Sequence, residues 1–318
     1  MLDLLILLAG FVMLILGADK LVDAASSLAS KLGIPNIVIG LTIVAFGTSA
    51  PELAVNVFAS VNNSTEMVLG NVLGSNLFNV LAILGITSII YPLTVKNNTT
   101  WIEIPLSLLA AVTVYIIASD VFFDNMDQNL ITRTDGLILL LFFSIFLVYN
   151  ISLSINSPDE AEIESKNYTY LKGVLFILLG LLGLVIGGRL IVSSAVNIAQ
   201  SFGISERVIG LTIVSIGTSL PELATSLIAV RKKNPDIAIG NVVGSNIFNV
   251  FFILGTSTVI TPVIVRSASF IDIAFNILAG VLLFVFLFTG KGRRLERWEG
   301  VIFLGIYIAY LIFLIGGS

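Results

Sequence analysis

Apolar residues in this chain fall in blocks long enough to cross a bilayer, which takes about 20 residues of helix. Ten such blocks lie at roughly 2–30, 35–61, 66–91, 101–120, 135–154, 169–201, 206–231, 236–261, 270–290 and 296–316. The first and sixth are longer than a simple crossing. Each starts strongly apolar and turns amphipathic, at LVDAASSLASKLG (21–33) and LIVSSAVNIAQSFG (190–203). That predicts long, tilted helices running on past the membrane surface. The first block has no basic lead and no small-residue cleavage site, so it reads as a span and not as a removable signal. One stretch breaks the pattern, SINSPDEAEIESKNY (154–168). It reads as a solvated linker between two halves, too short to fold as a regulatory domain.

The halves repeat. Shifted by 170 residues, VIGLTIVAFGTSAPELA (38–54) lies over VIGLTIVSIGTSLPELA (208–224), and GNVLGSNLFNV (70–80) over GNVVGSNIFNV (240–250). A single offset serves both blocks, so residues 1–153 and 169–318 read as two copies of one five-span unit. An odd number of spans forces the second copy into the membrane the other way up. The expected fold is therefore an all-α integral membrane protein of ten helices in two inverted five-helix repeats, with helices broken at the midplane.

Composition supports the membrane reading. The chain has 318 residues, 57% apolar and only 11% charged, against roughly 25% charged in a soluble domain. Lys and Arg set the orientation. With the N-terminus outside, twelve basic residues (Lys20, Lys31, Lys96, Lys166, Lys172, Arg231, Lys232, Lys233, Lys291, Arg293, Arg294, Arg297) face inward, and four (Arg133, Arg189, Arg207, Arg266) face outward. Both termini are expected outside, the 154–168 linker is expected in the cytoplasm, and the location expected is a prokaryotic inner membrane. A net charge of −4 gives no reason to expect nucleic acid as a partner. The absence of Cys and His removes thiol and imidazole chemistry, and leaves oxygen as the only ligand type for a metal.

Each copy carries G-T-S-x-P-E inside an apolar block, with Thr48, Ser49, Pro51 and Glu52 matched by Thr218, Ser219, Pro221 and Glu222. Proline lacks the N–H that would serve the carbonyl four residues back, and its ring crowds that carbonyl. A helix break is expected at Pro51, freeing carbonyls near Ala45 and Gly47, with Ser215 and Gly217 as counterparts. Such backbone survives in a membrane only around a protected cavity. Thr48 and Ser49 lie four and three residues before Glu52, which gathers hydroxyls and carboxylate on one face. A carboxylate at the bilayer centre costs at least about 2.5–3.5 kcal/mol, and this one occurs twice. The pair reads as cation ligands. The second block adds Ser75, Asn79, Ser245 and Asn249. Asn71 and Asn241 follow glycines, which suits them to serve either as ligands or as helix caps, with capping the favoured reading. Gly70, Gly74, Gly240 and Gly244 are spaced for close helix contact, and Phe78 and Phe248 for packing. Carboxylates, hydroxyls, amides and carbonyls together suit hard cations, Ca²⁺ or Na⁺.

These paired GTSAPE/GTSLPE and GSNLFN/GSNIFN blocks resemble the α-repeats of the sodium/calcium exchanger family, within the cation/calcium antiporters, and the ten-span layout extends the resemblance over nearly the whole chain. The resemblance implies a secondary antiporter, not an enzyme, moving Ca²⁺ against Na⁺ by alternating access, usually three Na⁺ per Ca²⁺, with no cofactor. Carried over by position, Glu52 and Glu222 would be the central Ca²⁺ ligands and also serve Na⁺. Thr48, Ser49, Thr218, Ser219, Ser75 and Ser245 would complete the Na⁺ sites with the carbonyls of Ala45 and Ser215, and Asn79 would sit at the centre. The first and sixth helices would slide over the other eight. Several relatives carry Asp where this chain has Asn249, and that departure argues for K⁺ independence. The large regulatory insert of animal relatives is missing, which suggests a minimal prokaryotic-type core that functions as a monomer. Rival readings are H⁺/Ca²⁺ exchange, K⁺-dependent Na⁺/Ca²⁺ exchange and a passive cation channel.

Overall fold

The computed structural model describes residues 2–156, 166–201, 215–290 and 292–316. The chain is helical almost throughout. In order come α1 (Leu2–Leu32), the bent pair α2 (Asn36–Thr48) and α3 (Ala50–Val61), α4 (Thr65–Ile90), α5 (Thr99–Ile117), the short α6 (Asp120–Phe123) and α7 (Arg133–Asn156). The second copy follows with α8 (Tyr170–Ser201), α9 (Ser215–Thr218), α10 (Leu220–Arg231), α11 (Pro235–Ile260), α12 (Ser269–Phe286) and α13 (Arg297–Gly316). Among the described residues, eight helices are long and apolar enough to cross a membrane, or nine if the bent pair counts as one. The remaining expected block, 206–231, is described only from Ser215 onward. The 154–168 linker likewise falls mostly outside the described residues.

Strands, absent from the expectation, close the ends of the bundle. β1 (Leu93–Thr94) pairs antiparallel with β4 (Arg294–Leu295), and β2 (Leu130–Ile131) with β3 (Val263–Ile264). Each ladder joins a segment of one copy to a segment of the other. Leu93, Ile131, Val263 and Leu295 are buried there.

The break expected at Pro51 sits two residues earlier. Ser49 leaves the helical region (φ −82°, ψ 6°), and α2 and α3 meet at 47°. Pro51 instead occupies the first turn of α3, where its missing N–H would have had no helical partner. Ser219 and Pro221 repeat the arrangement at the start of α10. Among the described residues, wider π-type turns interrupt four places, Gly40–Val44, Phe78–Leu84, Thr99–Glu103 and Phe248–Leu254. Such turns add a residue to the helix and re-aim the side chains they carry.

Helices α4 and α11 form the centre. Ile237 through Ile247 of α11 are all buried. At the periphery α1, of 31 residues, packs along α8, of 32. Both turn Leu-rich faces outward, with Leu4, Leu5, Leu8 and Leu171, Leu178, Leu179 exposed, as lipid contact requires. Glycines let their backbones meet. A Cβ added to Gly17 would lie 2.8 Å from Gly180 O, and one on Gly180 would lie 2.8 Å from Gly17 O. Gly10 and Gly187 meet in the same reciprocal way a turn or two along. At the other end of α1, Lys232 Nζ reaches Asp19 Oδ1 (2.6 Å) and Asp23 Oδ1 (2.7 Å), while Lys166 reaches Asp23 Oδ2 (2.8 Å). The Asp23 carboxylate holds the Lys166 ammonium above its usual pKa.

Candidate ion-binding site

Glu52 lies in the first turn of α3 and Glu222 in the first turn of α10. Free backbone N–H groups and the helix dipole both favour a negative charge at such a position. Each side chain is 1% exposed. The bends at Ser49 and Ser219 cross the two copies. Ser49 Oγ donates to Glu222 Oε1 at 2.9 Å, and Ser219 Oγ donates to Glu52 Oε1 at 2.9 Å. The serine of each copy thus holds the carboxylate of the other. Among the described residues, Glu52 Oε2 and Glu222 Oε2 have no hydrogen-bond partner. Two buried carboxylates, each with one unpartnered oxygen, need neutralising, by a proton or by a cation held against them.

The surrounding groups follow the same reciprocity with one asymmetry. Ser245 Oγ donates to Glu222 Oε1 at 3.4 Å, whereas its counterpart Ser75 is equally buried with a hydroxyl that has no partner. Asn79 and Asn249 sit one residue into the π-type turns of α4 and α11, each 1% exposed with a partnerless Oδ1. Helix α3, bearing Glu52, packs on the turn with Asn249, and α10, bearing Glu222, on the turn with Asn79. The structure therefore brings Glu52, Glu222, Ser49, Ser219 and Ser245 into direct hydrogen bonding and sets Ser75, Asn79 and Asn249 on the elements packed against them. Among the described residues no group of three or more acidic side chains forms, so a cation here would draw its other ligands from neutral oxygens.

Several expectations need correction. Asn71 and Asn241 are not caps, because α4 starts at Thr65 and α11 at Pro235, six residues before each. They are mid-helix brackets. Asn241 Oδ1 accepts from Thr48 Oγ1 at 3.0 Å while its Nδ2 reaches Glu222 O (3.2 Å) and Ser226 Oγ (3.0 Å). Asn71 Oδ1 accepts from Thr218 Oγ1 at 3.5 Å, and its Nδ2 donates to Asn56 Oδ1 at 2.8 Å. Thr48 and Thr218 are thereby tied to the opposite copy. The Ala45 carbonyl is not freed by the bend either. It accepts from Ser49 N at 3.0 Å, since the helix runs on to Thr48 before it breaks. In the second copy Ser219 N turns to Ile216 O instead (3.2 Å). Ser215 itself is described only as the first residue of α9.

The packing expectations fare better. Gly240 and Gly244 press against the backbone of Ile37 and Leu41. For Gly70 and Gly74, by contrast, nothing among the described residues comes within 4 Å of an added Cβ, so close contact is not seen there; residues 207–214 lie outside the described residues. Phe248 stacks edge-on with Phe46 and Phe143, and Phe78 with Tyr307.

Two features were passed over in the sequence. Asn76 and Asn246, inside the G-S-N-x-F-N block, bond to each other's backbone and to Asn249 and Asn79. Their presence in both copies was the available signal. Glu103, fully buried on α5, accepts from the Tyr149 hydroxyl of α7. Nothing near it in sequence announces that contact.

Residues 2–152 and 172–316 match the sodium/calcium exchanger protein family. The protein CaxA of Alkalimonas amylolytica is 39% identical over 313 residues, covering 95% of each chain. The sodium/calcium exchanger MaX1 of Methanosarcina acetivorans is 32% identical over 342 residues, covering 98% of this chain and 97% of MaX1. A solved structure of the sodium-calcium exchanger NCX_Mj, soaked with 2.5 mM Na⁺ and 1 mM Sr²⁺, superposes with a TM-score of 0.83 at 31% identity over 98% of both chains. With full-length matches in sequence and in structure, this membrane-embedded chain belongs to the sodium/calcium exchanger family of antiporters.

Proposed function

We propose that this chain exchanges Na⁺ for Ca²⁺ through one site shared by its two halves, with Glu52 and Glu222 as the central ligands. The observation that carries the reading is the crossed pair of bonds, Ser49 to Glu222 and Ser219 to Glu52, around two carboxylates that each keep one free oxygen. Two negative charges balance one Ca²⁺. The hydroxyls of Thr48, Ser49, Thr218, Ser219, Ser75 and Ser245, the amides of Asn79 and Asn249, and the carbonyl of Ser215 divide among Na⁺ when Ca²⁺ leaves; the Ala45 carbonyl, bonded within its own helix, is left out of the set. Protons need no cage of neutral oxygens, which favours Na⁺ over H⁺ as the counter-ion. Asn249 supplies no third carboxylate, so K⁺ is not required.

The architecture proposed with it is ten spans in two inverted repeats, 1–153 and 169–318, around a cytoplasmic linker at 154–168. Reciprocal contacts throughout the site support it, as does the crossed pairing of the short strands. The Lys and Arg bias puts both termini outside a prokaryotic inner membrane. A site completed within one chain suits a functional monomer. Alternation is assigned to α1 and α8, which meet across glycines at the edge of the bundle. Exchange of three Na⁺ for one Ca²⁺ moves one net charge, and gains about 2.3 kcal/mol per 100 mV of membrane potential.

The test uses purified protein in Na⁺-loaded vesicles, following ⁴⁵Ca²⁺ uptake on dilution into Na⁺-free or K⁺ medium, alongside Glu52→Gln and Glu222→Gln. Uptake that requires internal Na⁺, ignores K⁺, responds to a clamped potential and is lost in both variants is the expected result. Uptake driven by a pH gradient would transfer the chain to proton coupling, and uptake with no counter-ion gradient would make it a pore.

A further inference from the structure

The amides of Asn76 and Asn246 form a clasp across the centre of the molecule. Asn76 Nδ2 donates to Asn246 O and Asn246 Nδ2 donates to Asn76 O, each at 3.4 Å. A backbone carbonyl can only accept, so these two contacts settle which end of each amide is nitrogen. Their Oδ1 atoms are then free to accept from the other copy. Asn246 Oδ1 takes Asn79 Nδ2 at 3.0 Å, and Asn76 Oδ1 takes Asn249 Nδ2 at 2.9 Å. That in turn settles the second pair of amides. With their nitrogens tied down, Asn79 and Asn249 present only oxygen elsewhere, and those two Oδ1 atoms are buried without a partner among the described residues.

We infer that Asn76 and Asn246 are positioning residues of the ion site, each holding the carbonyl oxygen of the opposite copy's asparagine toward the cation. The inference rests on the cation-exchange reading above and goes beyond it by giving a role to two residues that touch no proposed ion. The physical need is plain. A side-chain amide free to rotate by 180° offers a cation its NH₂ end as readily as its oxygen, and the NH₂ end repels it. Fixing the amide with its oxygen forward beforehand spares a binding cation the cost of turning it round. The clasp joins α4 to α11 and involves neither α1 nor α8. The two amide oxygens are thus held on the static part of the bundle while the proposed sliding pair moves.

A crossed pattern of dependence follows. Asn76 acts through Asn249 and Asn246 acts through Asn79, although Asn76 and Asn79 are the pair close in sequence. In Asn76→Leu the Asn246 amide keeps its anchor on the backbone carbonyl of residue 76, so the Asn246–Asn79 arm survives.

The experiment measures equilibrium ⁴⁵Ca²⁺ binding to the full-length detergent-solubilised protein without Na⁺, and its displacement by Na⁺, with a thermal melt for every variant. Asn76→Leu is expected to weaken Ca²⁺ binding on the order of tenfold, the scale of one lost hydrogen bond to a ligating group. Adding Asn76→Leu to Asn249→Ala should cost no more than about a further twofold, whereas adding it to Asn79→Ala should show its full effect. The mirror set, Asn246→Leu with Asn79→Ala and with Asn249→Ala, should invert this, and serves if Asn76→Leu does not fold. A purely structural role for Asn76 would lower the melting temperature and add equally to both backgrounds, which overturns the clasp. Unchanged Ca²⁺ affinity in Asn76→Leu would overturn it too. A wild-type protein that binds neither Ca²⁺ nor Na⁺ would instead defeat the exchange reading beneath it.

Discussion

Removing the two crossing serines one at a time probes the geometry of the site most directly. Ser219 Oγ is 2.9 Å from Glu52 Oε1, and Ser49 Oγ is 2.9 Å from Glu222 Oε1. The bonds look equivalent, yet the carboxylates are not equally supported. Glu222 Oε1 also takes Ser245 Oγ at 3.4 Å, while the matching Ser75 hydroxyl makes no bond. A hydrogen bond to a charged group contributes about 1.5–3 kcal/mol in a buried setting. At about 1.4 kcal/mol per tenfold, that range is roughly 10- to 150-fold in affinity. Ser219→Ala leaves Glu52 without its crossing donor, so its loss of Ca²⁺ affinity should fall toward the upper end. Ser49→Ala leaves Glu222 with Ser245, which can shorten its bond, so its loss should fall toward the lower end. Adding Ser245→Ala to Ser49→Ala should make the loss at Glu222 equal to that at Glu52. Equilibrium ⁴⁵Ca²⁺ binding in detergent reads the affinities, and unchanged melting curves show that the fold is intact. If Ser49→Ala costs as much as or more than Ser219→Ala, the argument from unequal support is wrong. If neither serine matters by more than about twofold, the crossed bonds do not hold the carboxylates in place.

Gly17→Val pushes a side chain into the Gly180 carbonyl, and should lower both thermal stability and transport, while Gly173→Ala, with open space around its new Cβ, should be neutral or stabilise by about 0.5–1 kcal/mol. Replacing Glu103 by Leu leaves the Tyr149 hydroxyl unpaired and should cost about 1–3 kcal/mol in melting measurements, whereas Glu103→Gln keeps an acceptor and should cost less; neither should alter Ca²⁺ affinity, because Glu103 bonds outside the site. Lys232→Met strips Asp19 and Asp23 of their shared cation and leaves the Asn234–Ser26 hydrogen bond to hold α1 to the turn after α10, so labelling of a cysteine placed near Asp23 should speed up; unchanged labelling would show that the ion pairs do not restrain α1. Converting Asn249 to Asp places a third carboxylate beside the pair and should make Ca²⁺ uptake sensitive to K⁺, read in the same vesicles as the exchange assay.

Eight or nine of the ten expected spans, the duplication in sequence and the two carboxylates were legible along the chain, because each depends on order and composition. A block of 20 apolar residues needs a bilayer whatever its neighbours do, and a costly acid repeated at an offset of 170 announces itself twice. Local rules also sufficed for a bend near Pro51. They misplaced it by two residues, since a proline starts a helix as readily as it ends one, and only the packed structure shows Ser49 leaving the helical region. Capping by Asn71 failed for a related reason. A glycine before an asparagine suggests a start, but tertiary packing carried α4 and α11 through both glycines.

Sequence by itself determined the class of this protein and the kinds of atom its site can offer: a membrane bundle built from two like units, with oxygen ligands and no nitrogen or sulfur side chain suited to a metal. Pairing was decided only in three dimensions. That Ser49 serves Glu222 and not the Glu52 three residues away, that Thr48 reaches Asn241, and that Asn76 holds Asn249 all follow from how the copies meet. Spacing along one helix tells which groups share a face. It cannot tell which face of another helix will lie against it, because that depends on glycine contacts, bends and turns contributed by the whole chain.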